Sequence, residues 1–410
     1  MECPLHRLFW AIILLVLCFI PLRAESVLPE KVKLLAKLNL FADQASTPKY
    51  FLQDYKQAAA KLDFDFSYQI TEDFSLNFLP FVQTSYDIND KDRTQTLARI
   101  WQVYLNYKLN NFDFTVGRFD FTDKPLTPII YYGDDLPKDL ALPTSLDGIK
   151  HNFTSKYFDY SLLAAEEAQI IEYQKAKLAG AKITAKPFSW LNIAGFYFYQ
   201  NKKYTEGNNN NTSNISVYGG RIDLFLSQNA GLNFYYAHNG GDMEIKRPTI
   251  TFNTDYKGYT FGGELYFNTL YKAGTLNSKV GFYIFSDKKD FYSLPNKLNT
   301  GIIYGGMNYG NSFPTSPKII YADFVFTPAK YSFLYAGASV YIYASQKQTI
   351  TNHTYYAQEI NLTAGVKFDN WGIKLSGGLF EGEAVFLNQN SAEQQRIKKL
   401  QANFFYKFGL

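Results

Sequence analysis

Apolar and polar residues alternate with period two along most of the chain. Leu62, Phe64, Phe66, Tyr68 and Ile70 interleave with Lys61, Asp63, Asp65, Ser67 and Gln69. Trp101, Val103, Leu105, Tyr107 and Leu109 interleave with Gln102, Tyr104, Asn106 and Lys108. Ile360, Leu362, Ala364, Val366 and Phe368 do the same with Glu359, Asn361, Thr363 and Lys367, and Leu400 to Leu410 ends the chain on one more such run. A two-residue period places alternate side chains on opposite faces of a strand. Each run has about the 9–11 residues that a tilted strand needs to cross a bilayer.

Eighteen such segments are predicted, near 31–40, 61–70, 74–87, 98–109, 112–122, 146–155, 158–167, 177–186 and 191–201, then 215–227, 231–238, 257–269, 275–286, 318–327, 332–345, 355–368, 371–384 and 397–410. The gaps alternate in length. Tight turns fall at Thr71-Glu72-Asp73, Asn110-Asn111, Lys156-Tyr157 and Asp369-Asn370, among others, and a longer polar gap separates each turn from the next. Nothing in a soluble β-sandwich requires that strict alternation. A transmembrane barrel has it, with short turns at one end and long loops at the other. The expected fold is therefore all-β, a single antiparallel transmembrane barrel of about 18 strands, with 16 as the alternative. An even number of crossings returns both termini to the short-turn side, the periplasmic one.

Composition supports this. The chain has 33 Tyr, 36 Phe and 4 Trp, 18% aromatic, but only 3 Met and 2 Cys. Aromatic residues favour strands and membrane-interface belts. The first 24 residues read as a signal peptide: His6 and Arg7, an apolar run from Leu8 to Ile20, then Pro21 and Ala24. Thirteen helical residues cover only about 20 Å, too short for an anchor. The expected organisation is a cleaved segment over 1–24 and a barrel over 25–410. Both cysteines, Cys3 and Cys18, fall in the leader.

If the apolar positions face lipid, the alternate ones line the lumen. They include Lys108, Lys182, Arg221, Asp223, Glu264, Lys279, Asp323, Glu359, Lys367 and Lys374, with Lys61, Asp63, Asp65, Asp113 and Lys407. Charges cannot sit unpaired in a dry core, so the set implies a wet interior, and many of its members should form cross-strand ion pairs. An eighteen-strand barrel is wide enough for water. The net charge of +4 is too even for a nucleic-acid surface. No nucleophile, metal or phosphate-binding motif occurs, so no catalytic residue, metal or cofactor is expected. His238 with Asp242 is the sole His/Asp grouping that an enzyme reading could use, and Glu166-Glu167 and Asp134-Asp135 are carboxylate pairs on expected loops.

One stretch suggests a family. Val116-Gly117-Arg118-Phe119 is followed by Tyr132-Gly133-Asp134-Asp135 and then by Leu146-Asp147-Gly148-Ile149-Lys150. A Gly-Arg pair ending one strand, Tyr-Gly-Asp in the loop and Asp-Gly opening the next strand resemble the alginate-export family of outer-membrane porins. That resemblance implies an eighteen-stranded, charged pore for an anionic polysaccharide, with Arg118 in the pore. Phe119, and a mature chain with only six arginines, depart from the family pattern. Between Arg118 and Lys150, the segment 123–145 carries Pro125, Pro128, Pro137 and Pro143, so it cannot extend the strands beside it. It either forms a constriction in the lumen or folds outward over the rim.

The expected function is passive diffusion of hydrophilic solutes across the bacterial outer membrane, with anions or oligosaccharides as the classes that a charged wall would admit. Expected partners are outer-membrane lipid, such solutes and the barrel-assembly machinery, and a monomer is favoured over a trimer. The alternative is a binding or adhesion barrel with a plugged lumen and functional external loops.

Overall fold

The computed structural model describes residues 31–46, 55–87, 95–122, 130, 144–168, 174–206, 209–246, 251–286, 317–346, 354–383 and 394–409. The leader at 1–24 and Asp134-Asp135 lie outside the described residues. The first strands are β1 (Val32–Ser46), β2 (Tyr55–Gln69), β3 (Phe74–Asp87), β4 (Gln95–Leu109), β5 (Phe112–Phe119) and β6 (Leu146–Thr154). Next come β7 (Phe158–Glu167), β8 (Gln174–Phe188), β9 (Leu191–Glu206), β10 (Asn209–Ser227), β11 (Ala230–Lys246) and β12 (Thr251–Tyr271). The last six are β13 (Gly274–Phe285), β14 (Pro317–Pro328), β15 (Leu334–Gln346), β16 (Thr354–Lys367), β17 (Trp371–Glu383) and β18 (Gln394–Gly409).

Each strand pairs antiparallel with its neighbours in sequence, and β1 pairs with both β2 and β18. The sheet closes, so no edge is left to recruit another chain. The eighteen-strand reading holds.

The short turns explain the register. Asn110 takes φ 49, the left-handed conformation that a two-residue hairpin needs and asparagine tolerates. Around the other short turns, rings pack outside the barrel: Phe188 with Trp190 at 5.2 Å, Phe333 with Phe368 at 5.0 Å, and Phe368 with Trp371 at 4.5 Å. They form an aromatic belt at that end, as a bilayer interface favours. Above it the outward positions are apolar and exposed, as at Ile183, Ile193, Ile222, Phe234, Val280, Val340 and Leu375. Burial in a core cannot explain so many exposed large apolar side chains; contact with hydrocarbon can.

The strands run further toward the long-loop end than the apolar pattern predicts. β10 begins at Asn209 rather than near 215, β11 reaches Lys246 rather than 238, and β12 begins at Thr251 rather than 257. The low-complexity run at Asn208–Asn211 is therefore largely strand. The ladder continues beyond the bilayer, where outward positions no longer need to be apolar, so periodicity fades while backbone pairing persists. β5 is shorter than expected: it ends at Phe119, not 122.

Candidate functional site

Register fixes which side chains enter the lumen, because residues directly opposite in a ladder share a face. Most of the expected wall residues are inside, and most are paired. Lys108 lies 3.8 Å from Asp113, Arg221 2.6 Å from Asp223, and Lys61 2.9 Å from Asp63. Lys182 stands opposite Ser161 on the luminal face. Glu264, Lys279 and Asp323 come together across β12, β13 and β14. Lys279 Nζ is 3.5 Å from Glu264 and opposite Asp323 in register, Tyr321 donates to Glu264 at 2.6 Å, and Ser339 donates to Asp323 at 2.8 Å. Glu359 is buried and accepts from the Tyr343 hydroxyl at 3.2 Å. These anions hold the wall rather than wait for a cation.

A second group of cations is held in no ion pair among the described residues, although Lys37 stands opposite Asp63 in the β1–β2 register. Lys367 and Lys374, on β16 and β17, share the luminal face with Lys407 on β18 and with Lys33 and Lys37 on β1. Among the described residues none of these five forms an ion pair. Lys37 and Lys407 are directly opposite each other in register, an arrangement that destabilises a sheet on its own. Lys407 leans 5.8 Å over the Phe405 ring. The cluster sits near the short-turn end. The sequence reading missed Lys33 and Lys37, although both alternate with Leu34, Ala36 and Leu38.

Nearer the long loops, the lumen changes character. Tyr235, Tyr283, Tyr321, Tyr341, Tyr343 and Phe380 form a continuous chain of ring contacts, with centroids 5.5–6.4 Å apart. Phe119, Phe121, Leu146, Phe196 and Phe198 belong to the same buried cluster. Ile130, the one described residue of the stretch 123–143, is itself fully buried in this cluster. The Pro-rich segment thus enters the barrel at Ile130. At this level Ile130 and the luminal rings belong to one buried apolar cluster.

Two face assignments are corrected. Arg118 does not line the pore. It stands opposite Val103 and Asp147 in register, on the face that exposes Val103, Val116 and Ile149 to lipid. Its guanidinium forms a fork to Asp147, with Nε–Oδ1 and Nη2–Oδ2 both at 2.8 Å. Lys150 is on the other side of the wall, with its ammonium 5.2 Å from the Phe119 ring centroid. The two cations therefore do not bracket one passage. Trp101, expected outside, turns inward: a bulge at Leu79/Pro80 shifts the β3–β4 register, and its indole donates to the Thr144 carbonyl at 3.2 Å. Pro80 has no N–H for the ladder, which is where a sheet accepts a bulge.

The His/Asp grouping does not form. His238 packs on Tyr218 at 5.3 Å on the outer face, whereas Asp242 faces the Asn214 amide at 3.3 Å, four residues further along the strand. Four strand residues separate them by about 13 Å. Glu166 and Glu167 point to opposite faces, Glu166 opposite Lys177 and Glu167 opposite Leu146, so they cannot share a cation.

No family model matches the sequence, and no curated protein does. The fold is similar to that of Pseudomonas aeruginosa OpdQ, with a TM-score of 0.63 at 12% identity over 93% of this chain and 100% of that one. It is also similar to Acinetobacter baumannii OccAB3, with a TM-score of 0.60 at 11% identity over 93% and 100%. P. aeruginosa OccK2 (OpdF), solved in complex with glucuronate, gives a TM-score of 0.60 at 10% identity over 93% and 99%. At these identities the likeness is one of fold.

Proposed function

We propose that this chain is a porin-like channel of the bacterial outer membrane through which small anionic, hydrophilic solutes diffuse. The observation that carries the reading is the cluster of Lys33, Lys37, Lys367, Lys374 and Lys407, five luminal cations with no ion pair among the described residues. The opposed Lys37 and Lys407 carry a stability cost that Asp63, opposite Lys37 on β2, offsets only on one side, and a counter-anion in the lumen lowers it further. The similar barrel of OccK2, which binds glucuronate, supports the solute class. The belt and apolar outer face suit lipid all round, so the protein works as a monomer. It is delivered by its leader and the barrel-assembly machinery, and both termini are periplasmic.

The finer reading, export of an anionic polysaccharide, rested on Arg118 as a pore residue. With Arg118 on the lipid face, that resemblance loses the pore residue it implied.

Planar-bilayer recording of the full chain tests the proposal. Stepwise conductance with an anion-preferring reversal potential is expected. Each lysine acts at roughly 8 Å through screened water, worth about 0.2 kcal/mol. Replacing Lys37, Lys374 and Lys407 together by Gln should therefore lower the anion-to-cation permeability ratio by about tenfold, the two signs acting in opposite directions. Conductance with unchanged selectivity in that variant would remove the anion reading. Absence of any conductance would favour a plugged binding barrel, a reading that the aromatic packing around Ile130 supports.

A further inference from the structure

Among the described residues the ladder is shortest on one side of the closed wall. β5 and β6, at 8 and 9 residues, are the shortest strands. β4 pairs with β5 only from Val103 onward, so Thr96 to Gln102 has a ladder partner in β3 alone among the described residues. Beyond Phe119 the chain leaves the wall: Phe121 packs against Phe198 on β9 at 5.9 Å, inside the barrel. The short ladder lies beside the bulge at Leu79/Pro80.

A cavity of about 540 Å³ lies at this part of the wall. That volume falls within the ~300–1,000 Å³ of small-molecule sites. Its lining comes from both faces of the sheet. Phe64, Val82 and Ile100 have outward register, whereas Phe81, Arg99 and Trp101 have inward register. Residues of both registers therefore contribute to it.

The lining is apolar apart from Ser145 and two arginines, the latter among only six in the chain after its leader. Arg118, engaged by Asp147, forms the floor. Arg99 is exposed and forms no ion pair among the described residues. A free guanidinium beside an apolar chamber is complementary to an anionic head on a hydrocarbon tail, since guanidinium binds carboxylate as a fork. A purely hydrophilic solute would not use the chamber, and a neutral lipid chain would not use Arg99.

We propose that this cavity binds a single-chain anionic amphiphile of the fatty-acid carboxylate class, with its head at Arg99 and its tail against Ile100, Trp101 and Phe81. The site lies in the wall, apart from the luminal lysine cluster, and stands whether or not the lumen conducts small anions.

The test uses Trp101 as the reporter. In the full chain reconstituted in phosphatidylcholine nanodiscs, Trp190→Phe and Trp371→Phe leave Trp101 as the tryptophan outside the leader. Bromododecanoate should quench it saturably, in competition with dodecanoate but not with dodecanol. Arg99→Gln should weaken the binding at least tenfold, and Arg99→Lys should restore part of it. Ala98→Phe, which fills the chamber, should abolish it. Quenching that rises without saturation, as it does for a protein retaining only lipid-facing Trp190, would overturn the proposal. So would saturable quenching that dodecanol competes for equally and that Arg99→Gln leaves unchanged, since an apolar crevice for any lipid tail would then be sufficient.

Discussion

The seam between the first and last strands is held by a buried ion pair, and breaking it one side at a time should be far more damaging than removing it whole. Lys399 on β18 lies 3.1 Å from Asp43 on β1, on the luminal face, with side chains only 3% and 0% exposed. Replacing Lys399 by Met takes its ammonium away from the buried Asp43 carboxylate. A buried charge that loses its partner typically costs 3–5 kcal/mol, about 150- to 5,000-fold in the folded-to-unfolded ratio. Arg396 and Glu381 provide a control on the next ladder, β17–β18. Their atoms are as close, at 3.0 Å, but the side chains are 64% and 39% exposed. Pairs of that kind contribute about 0–1 kcal/mol.

Urea unfolding from lipid vesicles, followed by the shift in electrophoretic migration between folded and unfolded forms, measures both. Lys399→Met should lose about 3–5 kcal/mol and Arg396→Met less than 1. Lys399→Met combined with Asp43→Asn should recover most of the loss, because the buried carboxylate is removed together with its ammonium. Salt at 1 M should weaken the exposed pair and leave the buried one largely unaffected. If Lys399→Met costs no more than Arg396→Met, the pair is wetter than its geometry indicates, and the seam does not depend on it.

Three further outcomes follow from the face assignments. Arg118→Gln should leave ion selectivity unchanged, because the guanidinium is outside the wall, whereas Lys150→Gln should shift the reversal potential away from anions; equal shifts would return Arg118 to the lumen. Deleting Lys124 to Leu142 removes Ile130 from the luminal cluster and should raise single-channel conductance, and an unchanged conductance would show that this segment does not limit flow. Gly117→Ala should destabilise the barrel by about 1–3 kcal/mol in the same urea assay, since φ at Gly117 is +123 and a Cβ there would lie 2.5 Å from the Val103 carbonyl oxygen; wild-type stability would mean that the backbone there relaxes freely.

The architecture was legible because lipid and lumen impose opposite demands on neighbouring residues. That contrast gives Leu62 to Ile70 and Trp101 to Leu109 their period, and the turns at Asn110-Asn111 and Asp369-Asn370 punctuate it. Beyond the bilayer the contrast vanishes, so Asn209 to Asn214 of β10 carried no strand signal although the backbone pairs throughout. The lysine cluster depended on a different fact. Lys37 and Lys407 become neighbours only when the barrel closes, 370 positions apart in sequence, and no local pattern encodes that contact. The ring chain from Tyr235 to Phe380 was hidden for a third reason: aromatic residues suit both a lipid belt and a packed lumen, and only register separates the two.

Arg118 shows how a motif can override a period that was already correct. Phe112, Phe114 and Val116 are outward, and counting by two places Arg118 with them. The Gly-Arg motif placed Arg118 in the pore through the family resemblance alone, and an unpaired arginine facing lipid would cost about 2–4 kcal/mol at mid-depth. The structure keeps the parity and lowers the cost by two means. Asp147 neutralises the guanidinium with a two-point fork, and β5 ends just above, giving way to chain that runs inward through Phe121. The charge is thus tolerated where the barrel stops being a uniform cylinder. In this chain the outward Arg118 sits where β5 ends, beside a cavity whose lining includes a second arginine, Arg99.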